Sequence, residues 1–249
     1  MKLTFDGGWL ATVTDDPLPI TPQFTGDSVV IARYMNVEER ERFFVTTFGS
    51  REWLWDAPDI FRFNSDSREL VGAEFQMPYV SAEAETTTRV PIMPAVRPGG
   101  LRADEVQGFR HEMCTVLCRV PGDAMLTCLR DLHVLDEPLE ASIGIAPDVA
   151  LLVQHGTVVG WSLTNPLRYL AKAFTAPDPA PPSDTTRRLF SECLDLVTQP
   201  MIDEIMDGEP AALARLRAVD EALRTQTEDR HRADVLLEMI SSLVEFYGH

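Results

Sequence analysis

The densest chemistry-bearing run in this chain is His111-x-x-Cys114-x-x-x-Cys118, followed by Cys128 and His133. Soft thiolates and imidazoles are the ligands that zinc selects, so the spacing has to be tested against a single ion. If Met113 to Val120 is a strand, Cys114 and Cys118 share a face but lie about 13 Å apart at about 3.3 Å per residue. Zinc sits about 2.3 Å from each sulfur, so one ion cannot reach both. In a hairpin turning at Pro121-Gly122, Thr115 rather than either cysteine falls opposite Cys128. Were the stretch a helix instead, His111, Cys114 and Cys118 would line one face and a metal site would become workable. The strand reading assigns no metal and no cofactor, and makes Cys114, Cys118, Cys128 and Cys193 reduced, mostly buried thiols.

Acidic pairs such as Asp15-Asp16, Glu38-Glu39, Asp136-Glu137 and Asp203-Glu204 are of the right type for acid–base or divalent-metal work. Adjacent side chains diverge on a strand or helix, however, and among 39 Asp and Glu residues such pairs arise without function. They read as solvated surface charge. Gly156-Thr157-Val158-Val159-Gly160 lacks the Gly-x-Gly-x-x-Gly spacing and opens a strand, which argues against a phosphate cradle. Neither Gly-x-Ser-x-Gly nor His-Glu-x-x-His occurs. An enzyme built on this sequence would use dispersed groups, such as His111, His133 or His155 with a carboxylate, and no residue is singled out as catalytic.

The aromatic group Trp53-Leu54-Trp55, with Phe61 and Phe63, stands beside Asp56 and Asp59. Tryptophan anchors carry much of the binding energy at interfaces when they fill a pocket, and carboxylates around them suit a basic partner. Trp53, Trp55, Asp56 and Asp59 are therefore the candidate partner-binding residues, with core packing as the competing account of the rings.

The whole chain shares this acidic bias. Its 249 residues include 22 Lys and Arg against 39 Asp and Glu, a formal net charge of −17, which repels nucleic acid and anionic membranes. No window approaches the roughly eighteen apolar residues of a membrane span, and Met1 to Trp9 contain no apolar signal core, so a cytoplasmic location is expected. The leading expectation is a non-enzymatic, acidic protein-interaction protein, in its concrete form an inhibitor or immunity-type protein that neutralises a basic partner. The alternatives are an enzyme with dispersed His and carboxylate groups, or a regulator that binds a small ligand in the space between two sheets.

The elements that must position these residues show an internal repeat. Leu70-Val71-Gly72-Ala73-Glu74-Phe75-Gln76-Met77-Pro78 is echoed by Val158-Val159-Gly160-Trp161-Ser162-Leu163-Thr164-Asn165-Pro166. Upstream, Gly26-Asp27-Ser28-Val29-Val30 matches Gly122-Asp123-Ala124-Met125-Leu126 in the same order. The first copy carries about eight extra residues between its anchors, for which Asn36 to Arg42 is the obvious insertion. Each copy alternates short apolar runs with turn residues, as an antiparallel meander does: Trp9-Val13, Val29-Tyr34, Phe43-Phe48, the run from Trp53 to Phe63 and Leu70-Met77 in the first, and Met113-Val120, Ala124-Arg130, Ser142-Ile145, Val149-Gln154 and Thr157-Leu163 in the second. The glycine of each Val-Gly pair falls inside a strand, where it marks a bulge or a close backbone contact.

This repeat resembles small, uncharacterised bacterial β-meander domains that close on a Val-Gly hairpin and an aliphatic strand. Their usual closing phrase, Gly-Ile-Glu-Ile-Leu, is replaced by Gly72-Ala73-Glu74-Phe75 and Gly160-Trp161-Ser162-Leu163. The resemblance implies modules that pair sheets or dimerise, here within one chain, and brings no chemistry with it.

Ser81 to Asp104, with Thr86-Thr87-Thr88, Pro91, Pro94 and Pro98-Gly99-Gly100, reads as a connecting loop or edge segment, and Pro177 to Pro182 as a stiff extended linker. Helical periodicity begins at Ser183 or Asp184, breaks at Gln199-Pro200, and ends with a stripe of Val235, Leu236, Met239, Ile240, Leu243, Val244 and Tyr247. That stripe packs within the chain or contributes to a homodimer through the C-terminal helices. The expected class is α+β: a duplicated antiparallel β-meander of about ten strands, residues 1–80 and 106–174 joined by 81–105, then a Pro-rich linker at 175–183 and three to four helices over 184–249.

Overall fold

Turn chemistry places the strand ends. Asn64 Oδ1 accepts from the backbone N–H groups of Asp66 and Ser67, each at 2.9 Å, and Arg68 takes a left-handed φ of 62° to close that hairpin. His155 and Gly156 have φ values of 52° and 69°, as the primed two-residue turn requires to match strand twist. In the computed structural model, which describes residues 1–50, 58–80 and 91–248, such turns join fourteen strands in two sheets, accompanied by six helices.

The strands are β1 (Lys2–Thr4), β2 (Leu10–Val13), β3 (Gln23–Phe24), β4 (Ser28–Ile31), β5 (Thr47–Gly49), β6 (Ile60–Asn64) and β7 (Leu70–Gln76). They continue as β8 (Val96–Pro98), β9 (Leu101–Ala103), β10 (Val116–Arg119), β11 (Met125–Leu129), β12 (Ala141–Ala146), β13 (Val149–Gln154) and β14 (Thr157–Thr164). The smaller sheet has the order β3-β4-β7-β6-β5 and is antiparallel throughout. The larger follows β8-β12-β13-β14-β1-β2-β9, with β11 also paired to β14 and β10 to β11. The helices are α1 (Val37–Thr46), α2 (Pro166–Tyr169), α3 (Asp184–Leu196), α4 (Met201–Met206), α5 (Pro210–Thr225) and α6 (Arg230–Tyr247). The C-terminal helices thus follow the strands, and among the described residues no helix is long and apolar enough to cross a membrane.

Three expectations change. Trp9–Val13 does not join the other strands expected of the first copy: β2 pairs with β1 and β9 in the larger sheet. The segment 81–105, read as a connecting loop or edge segment, contributes β8 and β9 at edges of that sheet. Phe43 to Thr46 is helical rather than extended. Asn36 Oδ1 accepts from the Glu39 N–H at 2.9 Å and Glu39 Oε2 accepts from the Met35 N–H at 2.8 Å, a start from which the helix propagates to Thr46. Finally, Leu117 and not Thr115 lies opposite Cys128, because Pro121–Asp123 forms a short 3₁₀ turn, longer than a two-residue hairpin, which shifts the register by two.

The sheets meet through aromatic side chains. Phe75 stacks on Trp161 at 5.4 Å, Phe61 meets Phe5 edge-on at 5.0 Å, and Phe63 lies 5.1 Å from Trp9. Gly160 lies in β14 where β11 comes closest: a Cβ there would stand 2.2 Å from the Cys128 carbonyl oxygen, so only glycine fits. The helical layer then covers the β3–β4 side of the smaller sheet, with Phe190 of α3 edge-on to Phe24 at 6.1 Å. Ser183 caps α3 by accepting from the Thr186 N–H at 3.1 Å.

The Pro-rich segment is docked. Arg232 of α6 is 1% exposed, and its guanidinium donates from Nε to the Leu167 carbonyl at 2.9 Å. One terminal nitrogen bonds both Asp229 oxygens at 3.0 Å, and the other bonds the Asp178 and Ala180 carbonyls at 2.9 and 2.7 Å. Removing one member of a buried charge pair costs about 3–5 kcal/mol, because the other is left without compensation. Arg232→Met is expected to lower unfolding stability by that amount in urea titration, and Arg232→Lys by less. A loss under about 1 kcal/mol for Arg232→Met would show that water replaces these contacts without penalty.

Candidate functional site

The residues singled out for chemistry lie in three separate places. In the core between the sheets, Asp59 accepts from the Gln76 N–H at 2.9 Å through Oδ1, and Cys114 directs its thiol to Oδ2 at 3.8 Å. Asp59 is 1% exposed, so this carboxylate, expected at a recognition surface, makes no surface contact. Trp53, Trp55 and Asp56 lie outside the described residues. Burial pushes the Asp59 carboxyl up to about 7, against the lowering effect of the Gln76 N–H and of the Arg130 charge. Burial likewise raises the Cys114, Cys118, Cys128 and Cys193 thiols, which stay protonated and unreactive at neutral pH.

His111 is buried between the rings of Phe5 and Phe61, at 5.3 and 5.2 Å. Its Nδ1 lies 3.0 Å from Asp6 Oδ2, which also accepts from Arg130 at 2.8 Å and from the Glu112 N–H at 2.8 Å. Burial lowers the His111 pKa, so the ring is neutral at neutral pH and Arg130 supplies the permanent charge. Burial opposes ionisation of Asp6, but the hydrogen bonds from His111 and Glu112 and the Arg130 charge outweigh it and hold that carboxyl far below its ordinary value. His133 and His155 are exposed, each beside its own carboxylate, Asp136 at 3.4 Å and Glu137 at 2.6 Å. Among the described residues no three His, Cys, Asp or Glu side chains are grouped to hold a metal ion.

A cavity of about 660 Å³ lies elsewhere, between the smaller sheet and the helical layer. Three stretches of the sheet and the loops beside it contribute Gln23, Thr25, Asp27, Ser28, Val30 and Glu74. Tyr34, Arg40, Met77, Tyr79 and Phe174 close it on one side, and Val197, Ile202, Glu238, Met239, Ser242 and Leu243 on the helical side. Gly26 makes this approach of sheet and helix feasible: its φ is +99°, and a Cβ there would stand 3.1 Å from the Met239 side chain.

The polar groups in this wall are held in place by one another. Tyr34 donates a short hydrogen bond to Glu74 Oε1, and Arg40 binds the same carboxylate through Nε at 3.0 Å and a terminal nitrogen at 2.8 Å. Arg40 also lies over the Phe44 ring at 4.6 Å. Burial and the Glu74 charge push the Tyr34 hydroxyl far above its ordinary range, and burial with the Asp27 charge raises Tyr79. Both phenols are donors at neutral pH, and neither exchanges a proton there.

The sequence had brought Gly26-Asp27 and Glu74 forward as repeat anchors, without a role. Tyr34, Arg40, Phe174 and Met239 had no local signal, because the wall assembles from segments up to about two hundred residues apart. The start of α1 at Asn36 was the one available clue, since a capped helix would aim Arg40 back at the sheet.

Asp59 generates a pH prediction. Its pKa in the folded state lies above its ordinary 3.8, so its contribution to stability is complete below about pH 4 and is lost as pH rises through about 7. The full cost of ionising it in place is about 4 kcal/mol. Asp59→Asn, which keeps the acceptor for Gln76, is expected to gain on the parent chain between pH 4 and pH 8 in urea midpoints. Parallel curves across that interval would show that Asp59 ionises without penalty. Comparison with protein-family models, with curated proteins and with solved structures found no match, so the resemblance to β-meander domains carries no family assignment.

Proposed function

We propose that this chain is a non-enzymatic binding protein that takes a small organic ligand into the 660 Å³ cavity between the smaller sheet and the helices. The observation that carries this reading is the cavity's geometry, a ligand-sized space between sheet and helix. Asp59 does not line the cavity, whereas the tyrosines that do are shifted away from neutrality. A ligand-sized volume with apolar walls and a few oriented polar groups is what recognition without chemistry needs. Placement of the site against α6 suits a regulator, since a ligand bridging sheet and helix would stabilise their contact.

We also infer that the two sheets arose by duplication. The order β3-β4-β7-β6-β5 matches β10-β11-β14-β13-β12 strand for strand in hydrogen-bonded neighbours, as duplication of one five-strand unit would produce, although a plain meander would pair β4 with β5 and β11 with β12. On that view, the insertion that became α1 gave the first copy Arg40 and one wall of its cavity. Four free, buried cysteines favour a reducing compartment, consistent with a cytoplasmic location.

A second reading, recognition of a basic protein, is favoured by the net charge of −17 and by α1, none of whose residues is buried and on which Val45 is 85% exposed. An inhibitor or immunity-type protein would use such a surface together with Trp53, Trp55 and Asp56. The α6 stripe is largely buried within the chain, which leaves Phe246, 74% exposed, as the apolar residue it offers to a second copy.

Native mass spectrometry of the full chain against a small-molecule library tests the ligand reading. The parent protein is expected to retain compounds that Ser242→Trp, a substitution at an exposed rim position, excludes. Retention of no compound, or retention unaffected by Ser242→Trp, would overturn it.

A further inference from the structure

We propose that the cavity selects a protonated organic amine with an apolar body, an inference that rests on the cavity being a ligand site. Among the described residues, three carboxylates, Asp27, Glu74 and Glu238, line it against one cation, Arg40. Arg40 and Glu74 already neutralise each other through two hydrogen bonds. Glu238 meets Lys172, which stands outside the lining, at 2.8 Å. Asp27 has no ion-pair partner among the described residues, and its one side-chain bond is from Thr25 Oγ1 at 2.6 Å to Oδ1. An anionic ligand would face this carboxylate and would have to draw Arg40 away from Glu74.

A cation meets the opposite situation. Tyr34, Tyr79 and Phe174 line the cavity together with Asp27, which is itself exposed, and ring faces attract ammonium groups most strongly where a bound guest displaces the water. Tyr34 and Phe174 stand edge-to-face at 6.1 Å, which forms a corner instead of a flat surface. Val30, Met77, Ile202, Met239 and Leu243 then offer the apolar remainder of the ligand its contacts. The volume of about 660 Å³ is that of a free small molecule and exceeds what one lysine tip would fill.

The test uses one scaffold with three head groups: phenethylamine, 2-phenylethanol and 3-phenylpropanoate, titrated into the full chain by calorimetry at low and moderate salt. The amine is expected to bind about tenfold more tightly than the alcohol, and the carboxylate weakest. Asp27→Asn is expected to weaken the amine about three- to tenfold and leave the alcohol unchanged, and added salt to narrow the gap. If the alcohol or carboxylate binds as well as the amine and Ser242→Trp abolishes both, the amine class is overturned while the ligand site stands. If none of the three binds, the ligand site falls with it. Tighter binding of a lysine-containing peptide than of the free amine would overturn the small-molecule assignment.

Discussion

All five N–H donors of Arg232 are used inside the protein, on acceptors from three separate segments. A guanidinium cannot shed its charge, so burying it commits every neighbour to supply an oxygen at a defined direction. Leu167 supplies one from α2 at the end of the strands, Asp178 and Ala180 supply two from the Pro-rich segment, and Asp229 supplies its carboxylate from the start of α6. The chain leaving the sheets, the linker and the final helix are thereby fixed to one point. A second tie runs through Arg119, which binds Asp123 at 2.7 Å and Asp195 of α3 at 2.6 Å, while Arg215 of α5 binds the other oxygen of Asp195 at 2.5 Å. The helical layer therefore meets the sheets through directional contacts as well as apolar ones, and a cavity can persist beneath it without collapse.

Local physics made much of this fold legible. Val149–Gln154 is a short apolar run bounded by turn residues, and it is strand β13; Ser183, Pro210 and Asp229 stand where caps and first-turn residues belong, and α3, α5 and α6 begin there. What was not legible depends on distant partners. β1, β2, β8 and β9 are three or four residues long and owe their strand character to one another and to β12 and β14. Phe43 to Thr46 has the apolar content of a strand but lies downstream of a well-capped helix start, and propagation of that helix outweighed pattern. The register of β10 against β11 was lost for a smaller reason: a turn containing two left-handed residues, Gly122 and Asp123, holds more chain than a Pro-Gly pair suggests.

The candidate residues illustrate the same division. Asp59 follows a run of tryptophans and precedes Ile60-Phe61, so its neighbours in sequence fit both an anchor patch and a core strand. The fold decides between them because the Gln76 N–H and the Cys114 thiol meet its carboxylate inside the core. A carboxylate in that position lends the core a pH-dependent stability but meets no solvent and no cavity. His111 is likewise enclosed, with its hydrogen-bonding capacity engaged by Asp6 and Arg130.

At Asp59 and Tyr34, titration and access are separated. A general acid or base must reach its substrate and must change protonation near the working pH. Asp59 meets the second condition and not the first; Tyr34 meets the first and not the second. The Tyr34–Glu74–Arg40 triad instead has the properties of a rigid polar wall, since each member orients another and none is poised to give up a proton to a guest. Asp27 differs from that triad in lining the cavity with a carboxylate oxygen uncommitted and without an ion-pair partner among the described residues. Within a protein of net charge −17, that single uncommitted carboxylate gives the cavity a sign, and the sign decides which guests are attracted into it.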